Sequence, residues 1–162
     1  MGDLVNGGLL VKVIVIYESK YGNTKRVAEM IIEGIKEIGG EVSLSGLNET
    51  DFDTILKYDA ILIGSPNHMG GPTRGIRGFI DKLGKLQLEG KKFAVFDTYM
   101  GKDFEKAVKK MEKRISERVP GLKQIASGLS IKVLGMKGPI AEGELQKCKE
   151  FGKKITTQLK SG

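Results

Sequence analysis

Apolar residues along the chain follow two rhythms in turn. Residues 11–17, Val-Lys-Val-Ile-Val-Ile-Tyr, are nearly all apolar and mostly β-branched, the pattern of a strand buried on both faces of a parallel sheet. From Thr24 the spacing changes, and Val27, Ala28, Ile31, Ile32, Ile35 and Ile38 form one helical stripe. Gly39-Gly40 stops it. Residues 41–44 predict a second strand, 51–56 a brief helix and 58–64 a third, strongly apolar strand. A Gly- and Pro-rich loop over 65–74 leads into a helix at 76–83, and residues 92–96 predict a fourth strand. Phe104, Ala107, Val108, Met111 and Ile115 mark a further amphipathic helix, ended by Pro120-Gly121. Residues 131–134 predict the fifth strand, and Leu145, Cys148, Gly152, Ile155 and Leu159 line a last helix. Ahead of this series, residues 1–10 read as a short polar leader with a Gly-Gly break, so that 11–160 make one domain.

A strand–helix unit repeated five times points to an α/β fold, a parallel sheet with helices on both faces. The expected strand order is 2-1-3-4-5, with a crevice between the first and third strands outside their carboxyl ends. Function is therefore expected in the loops after strands one, three and four.

Composition sets bounds on that expectation. With 162 residues, 40% apolar and 29% charged, the chain has the length and balance of a single globular domain. Cys148 is its single cysteine, which excludes a disulfide framework, a paired-cysteine metal site and a redox dithiol. As a residue on an apolar stripe it reads as core. Residues 1–10 lack the apolar run of a secretory signal, no apolar stretch approaches the roughly 20 residues that cross a bilayer, and the expected location is the cytoplasm. The formal charge is +7, but the cations Lys102, Lys106, Lys109, Lys110 and Lys113 sit among glutamates on a helix. Aromatic residues are 6% and not interleaved with them, so neither a nucleic acid nor a membrane is an expected partner.

The first loop holds Ser19, Lys20, Tyr21, Gly22, Asn23 and Thr24, small or hydroxyl-bearing residues between a strand and its helix. Consecutive amides backed by a helix N-terminus form a nest for an anion, with side-chain donors available from Ser19, Asn23 and Thr24. An ordinary capped helix start has the same residue types. In the second loop, Pro66, Asn67, His68, Met69, Gly70 and Gly71 combine stiffening prolines with glycines that let the backbone approach a flat ligand. The third loop, Thr98, Tyr99, Met100 and Gly101, offers an aromatic face. His68, the one histidine, is either a neighbour of the ligand or a solvent-facing loop residue. Asp97 reads as a strand end and Asp103 as a cap for the next helix.

These three loops, SKYGNT, GSPNHMGGP and FDTYMG, each following a strand, resemble the flavodoxin family. The similarity is greatest to the flavodoxin-like modules of flavodiiron proteins, and it covers the chain from Lys12 to Leu159. The resemblance implies a flavodoxin-like three-layer sandwich that binds FMN without a covalent bond. Ser19, Lys20, Tyr21, Gly22, Asn23 and Thr24 would cradle its phosphate, while Pro66, Asn67, His68, Met69, Gly70, Gly71, Thr98, Tyr99, Met100 and Gly101 would flank its ring. A peptide carbonyl within Met69-Gly70-Gly71 is the expected partner of the ring's protonated N5. No catalytic residue and no metal site is implied; the expected role is electron transfer through one-electron flavin states between a redox donor and acceptor. Flavodoxins are usually acidic and this chain is basic, so its partners are expected to present acidic contact surfaces. Two other readings share the fold: a flavin-dependent NAD(P)H:quinone reductase and a binding module without flavin. A receiver domain is excluded by Gly64-Ser65 where its aspartate is needed, a small tyrosine phosphatase by the absence of cysteine from the first loop, and a nucleoside-triphosphate loop by the lack of Gly-Lys-Ser/Thr.

Overall fold

The computed structural model describes residues 4–5 and 8–162. Of the leader expected over 1–10, residues 1–3 and 6–7 lie outside the described residues; within the rest, Leu4–Val5 (β1) pairs antiparallel with Gly8–Leu9 (β2). The domain then runs β3 (Lys12–Tyr17), α1 (Asn23–Glu37), β4 (Glu41–Gly46), a 3-10 turn at Leu47–Glu49, α2 (Phe52–Ile55) and β5 (Ala60–Pro66). It continues with α3 (Arg74–Leu83), β6 (Lys92–Tyr99), α4 (Lys106–Arg118), β7 (Lys123–Gln124), β8 (Leu129–Lys132) and α5 (Glu144–Ser161).

All pairings of the central sheet are parallel, in the order β4-β3-β5-β6, with β7 and β8 sharing the outer flank of β6. With the N-terminal hairpin set aside, this is the expected 2-1-3-4-5. Side chains alternate across it. Ile14 and Ile16 of β3 pack with Ile61, Ile63 and Val95 against α3 and α4, whereas Val13 and Val15 pack with Leu62 and Phe96 against α1 and α5. Three layers result, with the buried central strands sealed on both faces.

The fifth strand departs from expectation. Instead of one segment at 131–134, β7 pairs Lys123 and Gln124 with Lys92 and Phe93, and β8 pairs Leu129 to Lys132 with Phe96 to Tyr99. Between them the chain passes over α4 so closely that a Cβ at Gly128 would lie 2.1 Å from Val108 Cγ1. Leu134, expected in the strand, is exposed. Phe104 is also exposed and precedes α4 rather than joining its stripe; its ring meets that of Tyr99 edge-on at 5.3 Å. Cys148 is buried among core residues of α1 and α5, and burial pushes its thiol up to about 12.

Candidate functional site

At the carboxyl ends of the strands the chain encloses a cavity of about 630 Å³, within the usual range for small-molecule sites. Ser19, Lys20, Tyr21, Asn23 and Thr24 line it from the first loop, Pro66, Asn67 and His68 from the second, and Thr98, Tyr99 and Met100 from the third. The remaining predicted residues stand outside its wall. Gly22 is the α1 N-cap at φ 96°, and Gly101 turns the third loop at φ 57°. Met69 and Gly70, at φ 55° and 75°, form the tip of a turn closed by reciprocal bonds between His68 and Gly71, whose amides donate to each other's carbonyls at 2.7 and 3.2 Å. His68 is exposed at the rim.

The helix ends around this cavity differ in how their amides are satisfied. Arg26 is the first residue of α1 whose amide reaches a carbonyl, Gly22 O at 3.0 Å; no side chain caps the turn before it, and the turn carries no acidic residue. By contrast, Thr73 Oγ1 accepts from the Ile76 amide at the start of α3. The first turn of α4 is capped from the second loop and from β6: Asn67 Oδ1 accepts from the Ala107 amide and Asp97 Oδ2 from the Val108 amide, each at 3.0 Å. At α5, the acidic Glu144 occupies the first turn. Of these four, α1 alone has neither a side chain on its first-turn amides nor an acidic residue in that turn, and its start faces the cavity.

The surrounding side chains set up that opening. Ser19 Oγ accepts from the Gly22 amide at 3.0 Å, leaving its own hydrogen to donate outward. Thr24 and Thr98, both buried, share a hydroxyl–hydroxyl bond of 3.0 Å that ties the first loop to the third. Asn23 Nδ2 donates to Met136 O at 3.1 Å and so fastens the loop after β8 over the site. Asn67, beyond its α4 bond, donates through Nδ2 to Thr98 O at 3.1 Å, so its side chain positions the second loop. Tyr21, Tyr99 and Met100 supply apolar wall, Tyr99 with its hydroxyl pKa raised by partial burial.

Several wall residues were not foreseen. Glu18 accepts a hydrogen bond from the Thr73 hydroxyl, and Gly75 leaves room for that carboxylate, because a Cβ there would lie 2.9 Å from Glu18 Oε1. Arg74 and Asp103 also face the cavity, and Val133 and Met136 come from a fourth loop. The Gly135, Gly138 and Pro139 turn residues just after the fifth strand were the available signal for that loop. Asp103 does not cap α4 as expected; it pairs with Lys106 at 3.3 Å, and the capping falls to Asp97 and Asn67. Asp97 lies inside β6, fully buried, and not at its end.

The family model for flavodoxin matches residues 15–152. The chain belongs to the flavodoxin family. Members of that family bind FMN and carry electrons between redox partners. A flavodoxin of Aquifex aeolicus (strain VF5) is 36% identical over 94 residues, 56% of this chain and 51% of that protein. The matched segment thus spans about half the length of the curated flavodoxins it aligns with. Among solved structures, a flavodoxin from the domain Archaea superposes with a TM-score of 0.80 at 27% identity, covering 92% of this chain and 99% of that one. The fold alone is shared with rubredoxin oxygen:oxidoreductase of Desulfovibrio gigas, a TM-score of 0.76 at 20% identity over 91% of this chain and 36% of that one. No helix among the described residues is long and apolar enough to cross a membrane.

The cavity of this flavodoxin-family chain suits the family's cofactor on its own chemistry. An uncapped helix start with hydroxyl and amide donors around it matches a phosphate, and the tyrosines and Met100 offer an apolar lining to a flat ring.

Proposed function

We propose that this chain binds FMN non-covalently in the cavity and passes electrons one at a time between redox proteins in the cytoplasm. The observation that carries the reading is the N-terminus of α1, which has no side-chain cap and no acidic residue in its first turn, whereas α3 and α4 have their first-turn amides bonded by side chains. A phosphate placed there would receive several amide bonds and the field of the helix without displacing any internal partner. Ser19, Asn23 and Thr24 would orient it, with Gly22 supplying the turn that aims the amides. Bound FMN supplies the redox chemistry. The protein's contribution is position and electrostatics.

Tyr21, Tyr99 and Met100 would cover the ring, and Asn67 would hold the second loop at its edge. The turn at Met69, Gly70 and Gly71 is the proposed source of a carbonyl for N5, its positive φ values marking a backbone already in an unusual conformation. His68 stands at the rim, beside the proposed place of the ring. A basic chain favours partners with acidic contact surfaces. The single thiol, buried and unpaired, suits a reducing interior.

Titration of apo-protein with FMN and with riboflavin, followed by quenching of flavin fluorescence, tests the central point. Because the proposed anchor is the phosphate, riboflavin is expected to bind at least about 100-fold more weakly, as the loss of two charge-assisted hydrogen bonds entails. Equal affinities would remove the role given to α1. Steady NADPH oxidation with a quinone would show a reductase instead, and no quenching by either flavin would show a module without cofactor.

A further inference from the structure

A second cleft, of about 610 Å³, opens between α3 and α4 and shares His68 and Arg74 with the first cavity. Its walls are basic: Arg77 from α3, and Lys110, Lys113 and Arg114 from α4, against one acidic residue, Glu117. Arg114 is neutralised by Asp81, to which it donates twice at 2.9 and 2.7 Å. Among the described residues, Arg77, Lys110 and Lys113 take part in no ion pair, although each is exposed. Arg77 is nonetheless held in place, donating to Pro72 O at 3.1 Å. At the mouth of the cleft stands Met69, 94% exposed and in a left-handed backbone conformation at φ 55°. Presenting a large apolar side chain from such a position has a conformational cost and gives no burial in return.

We propose that this cleft is the docking face for a redox protein with an acidic contact surface. The partner's carboxylates sit against Arg77, Lys110 and Lys113, and its surface packs on Met69. Charge complementarity selects that occupant. The cations are spread over two helices and carried on exposed side chains, which suits several carboxylates on a protein surface better than one compact anion. Methionine within a charged rim has the composition of an interface anchor. Because the two cavities share His68 and Arg74, a partner seated here lies against the mouth of the proposed FMN site. With FMN bound in the first cavity, a reduced partner seated here would stand beside it and would pass it one electron with no bond formed between the proteins. The electron transfer rests on the FMN reading; the docking does not.

The test uses an acidic [2Fe–2S] ferredoxin as the probe and a basic cytochrome c as the control, with the FMN-loaded protein at low salt. Carbodiimide cross-linking to the ferredoxin should join at Lys110 and Lys113, and none should form there with cytochrome c. In calorimetry, Arg77→Glu/Lys113→Glu should weaken ferredoxin binding at least about tenfold, whereas Lys154→Glu on α5 should change it less than about twofold. Lys110→Gln/Lys113→Gln repeats the measurement without touching the Arg77–Pro72 bond. FMN affinity should be the same in all of these proteins. Absence of ferredoxin binding, equal weakening by the α5 variant, or cross-links confined to other faces would overturn the docking proposal. Failure to bind FMN would overturn the functional reading alone, because cross-linking to the flavin-free chain still reports the docking face.

Discussion

Asp97 shows how one residue can be visible in the sequence while its role is not. It reads as the end of a strand, yet it is buried in β6, where it accepts from Ser130 Oγ at 2.6 Å and from the Val108 amide at 3.0 Å. Those partners lie 33 and 11 positions away, so no local pattern discloses them. Burial pushes its carboxyl up to about 6, against the hydrogen bonds from Ser130, Val108 and Asn67 that favour the anion. With an unfolded value near 3.9, the folded protein keeps a proton that the unfolded chain releases, so stability falls as pH rises from about 4 to about 6. The fall is on the order of 3 kcal/mol if Asp97 acts alone. Asp97→Asn can still accept from Val108 and donate to Ser130, and it cannot ionise. Urea melts from pH 4 to 7 should show the wild type losing stability relative to this variant across that window. A constant difference would show that Asp97 titrates normally. The comparison must be between the two proteins, because Asp81, held low by Arg114, contributes a slope of the opposite sign at lower pH.

At the scale of elements, periodicity is a dependable guide where one face is buried and a poor one elsewhere. The stripe on α1 and the apolar runs of β3 and β5 are each forced by burial in a three-layer core, and each is legible. The short strand β7, Lys123–Gln124, is exposed and polar, so it carries no alternation to read; only its backbone pairing with β6 defines it. Helix contacts are hidden for a similar reason. Gly34 and Gly152 look like weak points inside helices, but they are the places where α1 and α5 touch. A Cβ at Gly34 would lie 2.1 Å from Lys149 O, and one at Gly152 the same distance from Ile31 O. Gly78, in the exposed middle of α3, meets nothing within 4 Å. The same substitution should therefore act in opposite directions. Gly34→Ala should destabilise by about 1–3 kcal/mol, the usual cost of overpacking, while Gly78→Ala should stabilise by about 0.5–1 kcal/mol through helix propensity. Midpoints of chemical denaturation distinguish the two. A neutral Gly34→Ala would mean that the α1–α5 crossing relaxes far more easily than its spacing suggests.

At the scale of the whole molecule, the open amides of α1 face the cavity in which the strand ends gather. The strand order brings the first, third and fourth strand ends together, which is why three sequence-distant loops with unremarkable compositions meet in one cavity. The fourth loop, with Val133 and Met136, escaped the sequence reading because the interrupted fifth strand shifts where that loop begins. An amide cluster without side-chain partners gives the cavity its capacity for an anion, and binding there must appear as stability of the entire fold. FMN at 100 times its dissociation constant adds about 2.7 kcal/mol to the free energy of unfolding. For a domain of this size that corresponds to a rise in Tm of roughly 5–10 °C. Inorganic phosphate should compete for the α1 amides, so that raising its concentration lowers the apparent FMN affinity while leaving weak riboflavin binding unchanged. Thermal melts with FMN, riboflavin and phosphate, alone and together, separate the contributions of tail and ring. If phosphate protected the protein no better than sulfate-free, phosphate-free buffer and failed to compete with FMN, the stabilisation would have to come from the ring and its loops, and the α1 N-terminus would have no part in binding.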